Sequence, residues 1–317
     1  MAGTLKGELL KRINLVEENV SLQQFSGLGT GGSADFFAEV HDTVELIEAV
    51  KAAIGCNLPY MVVATGQNIL FSDGGFPGLV IHNLAQQSVL DADQSQMIVD
   101  SGFLLQEFIT KAASQGFGGL TGLYRQGGSM GGAIYRNAQV ANQHILSSVR
   151  YVTLLLPPTK MKVDVSVVRY HGDWFFKENE NGRRLQQIHQ AKTLEEPRAI
   201  ILNAHIQLTS VRSDELLRRI HQEAVWVHRH IPRGTVFGPL FEEVPGRDLQ
   251  EILIASGVSK IRVSGMMPDR KNANFIRRKK GLLTAQAVWE YVQAIQEAAK
   301  DTTGVELAVA FERLGAW

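Results

Sequence analysis

The chain has 317 residues, 44% of them hydrophobic and 20% charged, which is the balance of a globular protein rather than a disordered one. Lys plus Arg and Asp plus Glu both number 32, so no net field favours nucleic acid or an anionic membrane. The single cysteine, Cys56, excludes an internal disulfide framework and a cysteine-cluster metal site.

The length exceeds one average core, so two or three domains are expected. No run approaches the roughly 18 apolar residues of a membrane span. The opening MAGTLKGELLKRINL lacks a signal-peptide core, so a cytoplasmic protein is expected.

In chain order, the first clear element is a helix over 42–54. Asp42 and Glu45 have capping-box spacing, Val44, Ile47, Val50 and Ile54 form an apolar stripe, and Gly55 stops it. Apolar runs at 60–64 and 78–82 read as strands, separated by the turns Thr65-Gly66-Gln67-Asn68 and Ser72-Asp73-Gly74-Gly75. A second unit begins near Leu84, with two short strands over 88–100 and a helix over 104–114. The glycine-rich segment 115–133 follows, then strands at 147–156 and 162–168, the polar run 171–197 and a strand at 199–208. A third unit carries helices at 214–228, 248–256 and 284–300, and the chain closes in an expected strand over 305–313. The interleaving is mixed α+β, too irregular for a doubly wound sheet or a barrel.

Three glycine-bearing segments invite a phosphate reading. Gly27-Leu28-Gly29-Thr30-Gly31-Gly32 matches G-x-G-x-x-G, but it lacks an apolar strand before it, and Ser33 to Val40 reads as a strand rather than a helix. Thr65-Gly66-Gln67-Asn68 follows a strand, and Gly127-Gly128-Ser129-Met130-Gly131-Gly132-Ala133 precedes Ile134-Tyr135. Clustered amides at such turns can cradle phosphate oxygens, although a tight turn is the simpler account of each alone.

Taken together, Phe25 to Val40, Ala64 to Phe76 and Gly127 to Asn137 resemble the flavin-binding parts of the UDP-N-acetylenolpyruvoylglucosamine reductases, the MurB family. Segments 249–257, 271–276 and 304–307 also resemble the family. The resemblance implies an α+β fold with a two-part FAD-binding region of the PCMH or vanillyl-alcohol-oxidase kind and a smaller substrate-binding α/β domain. The expected boundaries are 1–83 and 84–210 for the FAD-binding parts, 211–303 for the substrate domain and 304–317 for a terminal strand. It also implies FAD contacts from Gly66, Gln67, Asn68, Asp73, Gly128, Ser129, Gly131, Gly132, Ala133 and Asn137. In the family NADPH reduces FAD, the flavin passes hydride to an enolpyruvyl ether of a UDP-sugar, and a serine protonates the resulting carbanion. An arginine and a glutamate stabilise the enolate-like intermediate.

At those catalytic positions the chain departs from the pattern. The serine turn reads Gly234-Thr235-Val236-Phe237, which keeps a hydroxyl but adds a methyl that restricts χ1, and the lysine and asparagine that follow are Gly238 and Pro239. The arginine position falls on Gly172 or, one residue away, on His171. The glutamate position falls on Ala310, with Glu312 about 6.6 Å further along if the segment is a strand. Ala64, Thr65 and Gln67 replace glycine, glycine and serine in the flavin turn. The expectation is a MurB-like protein without the standard reductase activity, a pseudoenzyme or one given a binding or structural role. The alternatives are an active NADPH-using reductase with Thr235 and Glu312 as catalytic groups, or a flavin-free binder of a UDP-sugar. The basic run Arg277-Arg278-Lys279-Lys280 reads as a solvated turn that could also hold a phosphate or an acidic partner.

Overall fold

The computed structural model describes residues 2–156, 166–171, 199–263, 265–279 and 283–317. The chain divides into two compact units. One comprises Met1–Glu17, Phe36–Thr65 and Gly78–Val225, and the other Glu18–Asp35, Gly66–Pro77 and Trp226–Trp317. The first takes in most of the two expected FAD-binding segments. The second joins the expected substrate domain and terminal segment to residues 18–35 and 66–77, a grouping set by contacts distant in sequence.

In the first unit, a five-stranded antiparallel sheet has the order Ser166–His171, Val149–Leu156, Ile200–Gln207, Gln96–Asp100, Ser88–Asp91. The Leu105–Ser114 helix buries Leu105, Phe108, Ile109 and Ala112 in a core shared with Met97, Val99, Val152 and Ile206. This is the apolar stripe that its sequence period anticipates. A second core lies under the Thr43–Gly55 helix, where Leu46, Ala49 and Val50 meet Phe36, Leu79 and Ile81. The strand Tyr60–Val63 runs parallel to residues 79–82 of the strand Phe76–Asn83. Asp42 caps the Thr43–Gly55 helix by accepting from the Glu45 amide at 2.8 Å, while Glu45 accepts from the His41 amide at 2.8 Å. The Asp42 arm of the capping box read from sequence is therefore formed, while the Glu45 arm reaches the amide one residue before the N-cap.

In the second unit, the Ala285–Thr303 helix buries Val288, Tyr291, Val292 and Ile295 against Leu28, Leu70, Phe237, Leu253 and Phe311. Burial pushes the Tyr291 phenol up to about 12, and its hydroxyl donates to the Val258 carbonyl at 3.3 Å. Gly304 ends the helix in the left-handed region at φ 68°. A three-stranded sheet has the order Val236–Phe237, Ile276–Arg278, Met266–Pro268, and Glu312–Leu314 runs parallel to Ile69–Phe71.

Several expectations change. The closing strand covers only Glu312–Leu314, because Ala310 and Phe311 lie in a bend. The Arg277–Lys280 run is not a solvated turn over its described part. Arg277 and Arg278 end the central strand of the three-stranded sheet, Arg277 pairs with the buried Asp269, and Arg278 donates to the Leu28 carbonyl at 3.2 Å. The sequence reading also passed over the Ala2–Leu9 helix, whose residues lack a clean period, and the short Met130–Tyr135 helix inside the glycine-rich segment. The polar run expected at 171–197 lies outside the described residues beyond His171.

Asp100 is a buried carboxyl in the first unit. It accepts from the Gln87 amide at 2.9 Å and the Thr43 hydroxyl at 3.2 Å, yet loss of solvent outweighs these bonds and raises its pKa. A raised carboxyl pKa in the folded state means that stability is lost as pH climbs from the unfolded carboxylate value through the folded one. Asp100→Asn should therefore gain stability relative to the parent as pH rises from about 4 to neutrality, measured as the difference in melting temperature at each pH.

Candidate functional site

Within the first unit, Ser129 opens the Met130–Tyr135 helix as its N-cap, and its hydroxyl accepts from the Gly132 amide at 3.2 Å. The Met130 amide donates to Phe103 O and the Gly131 amide to Ser101 O, both at 2.7 Å, and the Ala133 amide returns to Ser129 O at 2.9 Å. That leaves the amides of Gly128 and Ser129 without an acceptor among the described residues, and Gly128 holds φ 94°. Two neighbouring unpaired amides beside a left-handed glycine are the elements of an anion nest.

At the far end of this helix Asn137 sits in the left-handed region at φ 48°. Its amide reaches Ile134 O at 3.1 Å, and the Ala138 amide reaches Ala133 O at 2.8 Å, the paired bonds of a Schellman cap. The Asn137 Oδ1 is buried with no hydrogen-bond partner, while its Nδ2 lies 3.5 Å from His144 Nδ1. The sequence reading missed His144. It reaches Asn137 through a two-residue hairpin, Gln139 opposite His144 and Val140 opposite Gln143, which no helical or strand period announces.

Within the second unit, Gly66 holds φ 65°, and a Cβ there would collide with the Phe25 carbonyl oxygen. Only glycine satisfies both conditions. The amides of Gly66, Gln67 and Asn68 have no acceptor among the described residues. The carbonyl of Gly66 accepts from Ile69 at 3.1 Å and that of Asn68 from Glu312 at 2.9 Å, which pins the turn. The departures at Ala64, Thr65 and Gln67 are sterically tolerated, since none of the three has positive φ. Asp73, by contrast, is taken up by the fold: its two carboxylate oxygens accept from the Ala285 and Gln286 amides at 2.8 and 3.0 Å, at the N-terminus of the long helix. The Gly27–Gly32 run is also structural, as a Cβ on Gly27 would occupy the Val236 carbonyl oxygen.

The residues set against the family's catalytic groups diverge further in the fold. Thr235 is exposed beside Gly234 at φ 91°, and its carbonyl accepts from the Arg278 amide at 3.4 Å. Ala310 is buried, only 4% exposed, and donates its amide to Leu240 O at 2.9 Å. Glu312 begins the short strand, so the alternation that would set it on the same face as Ala310 does not reach back across the bend. Gly172 lies outside the described residues, and His171 ends the strand Ser166–His171. Asn274 holds the turn after Thr235. Its Oδ1 accepts from Leu240 and Phe241 at 3.1 and 2.9 Å, and its Nδ2 donates to Phe241 O at 2.8 Å. Among the described residues no helix is long and apolar enough to cross a membrane.

Residues 34–162 match the FAD binding domain family. That match and the architecture define the class, an α+β protein with an FAD-binding domain. The UDP-N-acetylenolpyruvoylglucosamine reductase of Carboxydothermus hydrogenoformans is 27% identical over 314 residues, 98% of each chain. That of Chlamydia felis is 26% identical over 293 residues, 92% of each chain. The crystal structure of MurB from Thermus caldophilus superposes with a TM-score of 0.71 at 24% identity, covering 94% of this chain and 98% of that one. The chain is similar to the MurB reductases over nearly its whole length and shares the MurB-like fold.

Removing the Asp73 side chain takes two acceptors from the N-terminus of the Ala285–Thr303 helix. Asp73→Ala should cost about 1–2 kcal/mol, read by chemical denaturation, whereas Asp73→Asn should lose less because one acceptor survives.

Proposed function

We propose that this protein binds FAD and does not catalyse the standard reduction of UDP-N-acetylglucosamine enolpyruvate. Flavin binding is supported by the unpaired amides at Gly128 and Ser129 in one unit and at Gly66, Gln67 and Asn68 in the other. Such amides offer oriented donors to phosphate oxygens without any charged side chain. The orphaned Asn137 Oδ1 fits the same group, because a flavin nucleotide brings N–H and O–H donors as well as phosphates. When bound, FAD would supply a two-electron relay from NADPH to an acceptor.

The observation that carries the second half of the proposal is Ala310. The position matching the family's glutamate holds a buried methyl, and the next carboxylate, Glu312, lies beyond a bend. Charge developing on an enolate oxygen would meet no carboxyl partner from Ala310. Thr235 retains a hydroxyl, but Gly238 and Pro239 supply neither a cation nor an amide side chain to orient a UDP-sugar. Misplacement by about 1 Å costs on the order of a hundredfold in rate, so loss of the group itself costs more than repositioning can recover. The protein acts instead as a flavin-dependent or nucleotide-sugar-binding component, or with an acceptor that needs no such stabilisation.

The second reading, an active reductase, is favoured by one feature. Thr235 is exposed and its backbone is held at the rim of the three-stranded sheet, where a hydroxyl could deliver a proton.

Purified protein should carry the yellow absorbance of flavin. NADPH oxidation should not rise when the enolpyruvyl substrate is added. Substrate-dependent turnover at ordinary enzymatic rates, roughly 1–1,000 per second, would overturn the proposal. If such turnover fell at least a hundredfold on Thr235→Ala, the hydroxyl would be the proton donor.

A further inference from the structure

We propose that His144 is a positioning residue for the cofactor, holding the Asn137 side-chain amide so that its buried carbonyl oxygen accepts a hydrogen bond from bound FAD. This rests on the flavin-binding reading above. The backbone at Asn137 takes the left-handed conformation that closes the Met130–Tyr135 helix, a place that glycine or asparagine fills. The turn accounts for the residue type but not for the buried, unpartnered carbonyl of its side chain. Its Oδ1 is buried and has no donor among the described residues, a state that native proteins rarely leave unanswered.

His144 Nδ1 lies 3.5 Å from Asn137 Nδ2, and in the tautomer in which Nδ1 accepts, Oδ1 turns away from the ring. Rotating the amide by half a turn would only exchange the orphan, burying Nδ2 instead of Oδ1. The backbone at His144 is held by the hairpin that pairs Gln139 with His144, and by the Ile145 amide donating to Ala138 O at 2.9 Å. Across the same short helix, Gly128 and Ser129 present unpaired donors. One end of the helix thus calls for an acceptor and the other for a donor. A bare diphosphate meets only the first demand. A flavin nucleotide meets both, its phosphates supplying acceptors and its ring imide, ribityl hydroxyls or adenine amine supplying a donor.

The test is FAD titration of the full-length apoprotein, followed by flavin fluorescence, visible absorption and thermal shift. Asn137→Gly keeps the left-handed turn and removes the amide. It should leave the melting temperature of the apoprotein unchanged or higher, weaken FAD binding about tenfold and shift the bound flavin's visible bands. His144→Phe should weaken binding about threefold and His144→Gln, which restores a carbonyl acceptor, should recover most of the loss. Wild-type binding with unchanged affinity in Asn137→Gly would overturn this proposal and leave the flavin reading standing. An apoprotein clearly destabilised by Asn137→Gly would overturn it as well, because Oδ1 would then be satisfied within the protein. A wild-type protein that takes up no FAD would overturn both.

Discussion

Backbone amides in irregular segments must find acceptors, and this constraint organises each half of the molecule. Around the Met130–Tyr135 helix, Phe103 and Ser101 take the amides of Met130 and Gly131, and Ser129 takes those of Gly132 and Ala133. The helix is thereby locked against the strand and helix that precede it. What remains are the amides of Gly128 and Ser129, which the fold holds in place but does not use. A short helix of six residues has little intrinsic stability, so its position is owed to these tertiary bonds. The same bonds that fix the helix decide which donors are left for a ligand.

The second unit applies the constraint with a different result. Thr284 and Asp73 together accept three amides from the first turn of the Ala285–Thr303 helix. A residue that resemblance marks for the cofactor is thus committed to holding a helix end, where its negative charge also suits the helix dipole. The neighbouring turn at Gly66–Asn68 keeps its amides unpaired because its carbonyls, not its N–H groups, anchor it to Ile69 and Glu312. Amide donors survive changes of side chain, as at Ala64, Thr65 and Gln67, whereas the buried methyl of Ala310 offers no charge of its own.

Much of the fold is legible in the residues. The capping box at Asp42 and Glu45, the apolar stripe through Val288, Tyr291, Val292 and Ile295, and the stop at Gly304 each act over a few residues, so local pattern suffices to find them. The candidate flavin turns are legible through their glycines. The role of Arg277 is not, since a run of four basic residues looks solvated until Asp269 is seen buried against it. His144 is equally silent, because its partnership with Asn137 depends on a hairpin closed around Ala141, itself at φ 51°.

By itself, then, the sequence determined the helices with strong periods and caps, the α+β class, the glycine turns and the absence of a carboxylate at position 310. Each of these is written in side-chain identity or short-range spacing. Tertiary structure alone decided which amides remain unpaired, that Asp73 caps the last long helix, that the last strand starts at Glu312, and that Asn137 carries an unanswered acceptor. These depend on which distant backbone groups come within about 3 Å of one another, a distance on which hydrogen bonding turns and which no local pattern encodes.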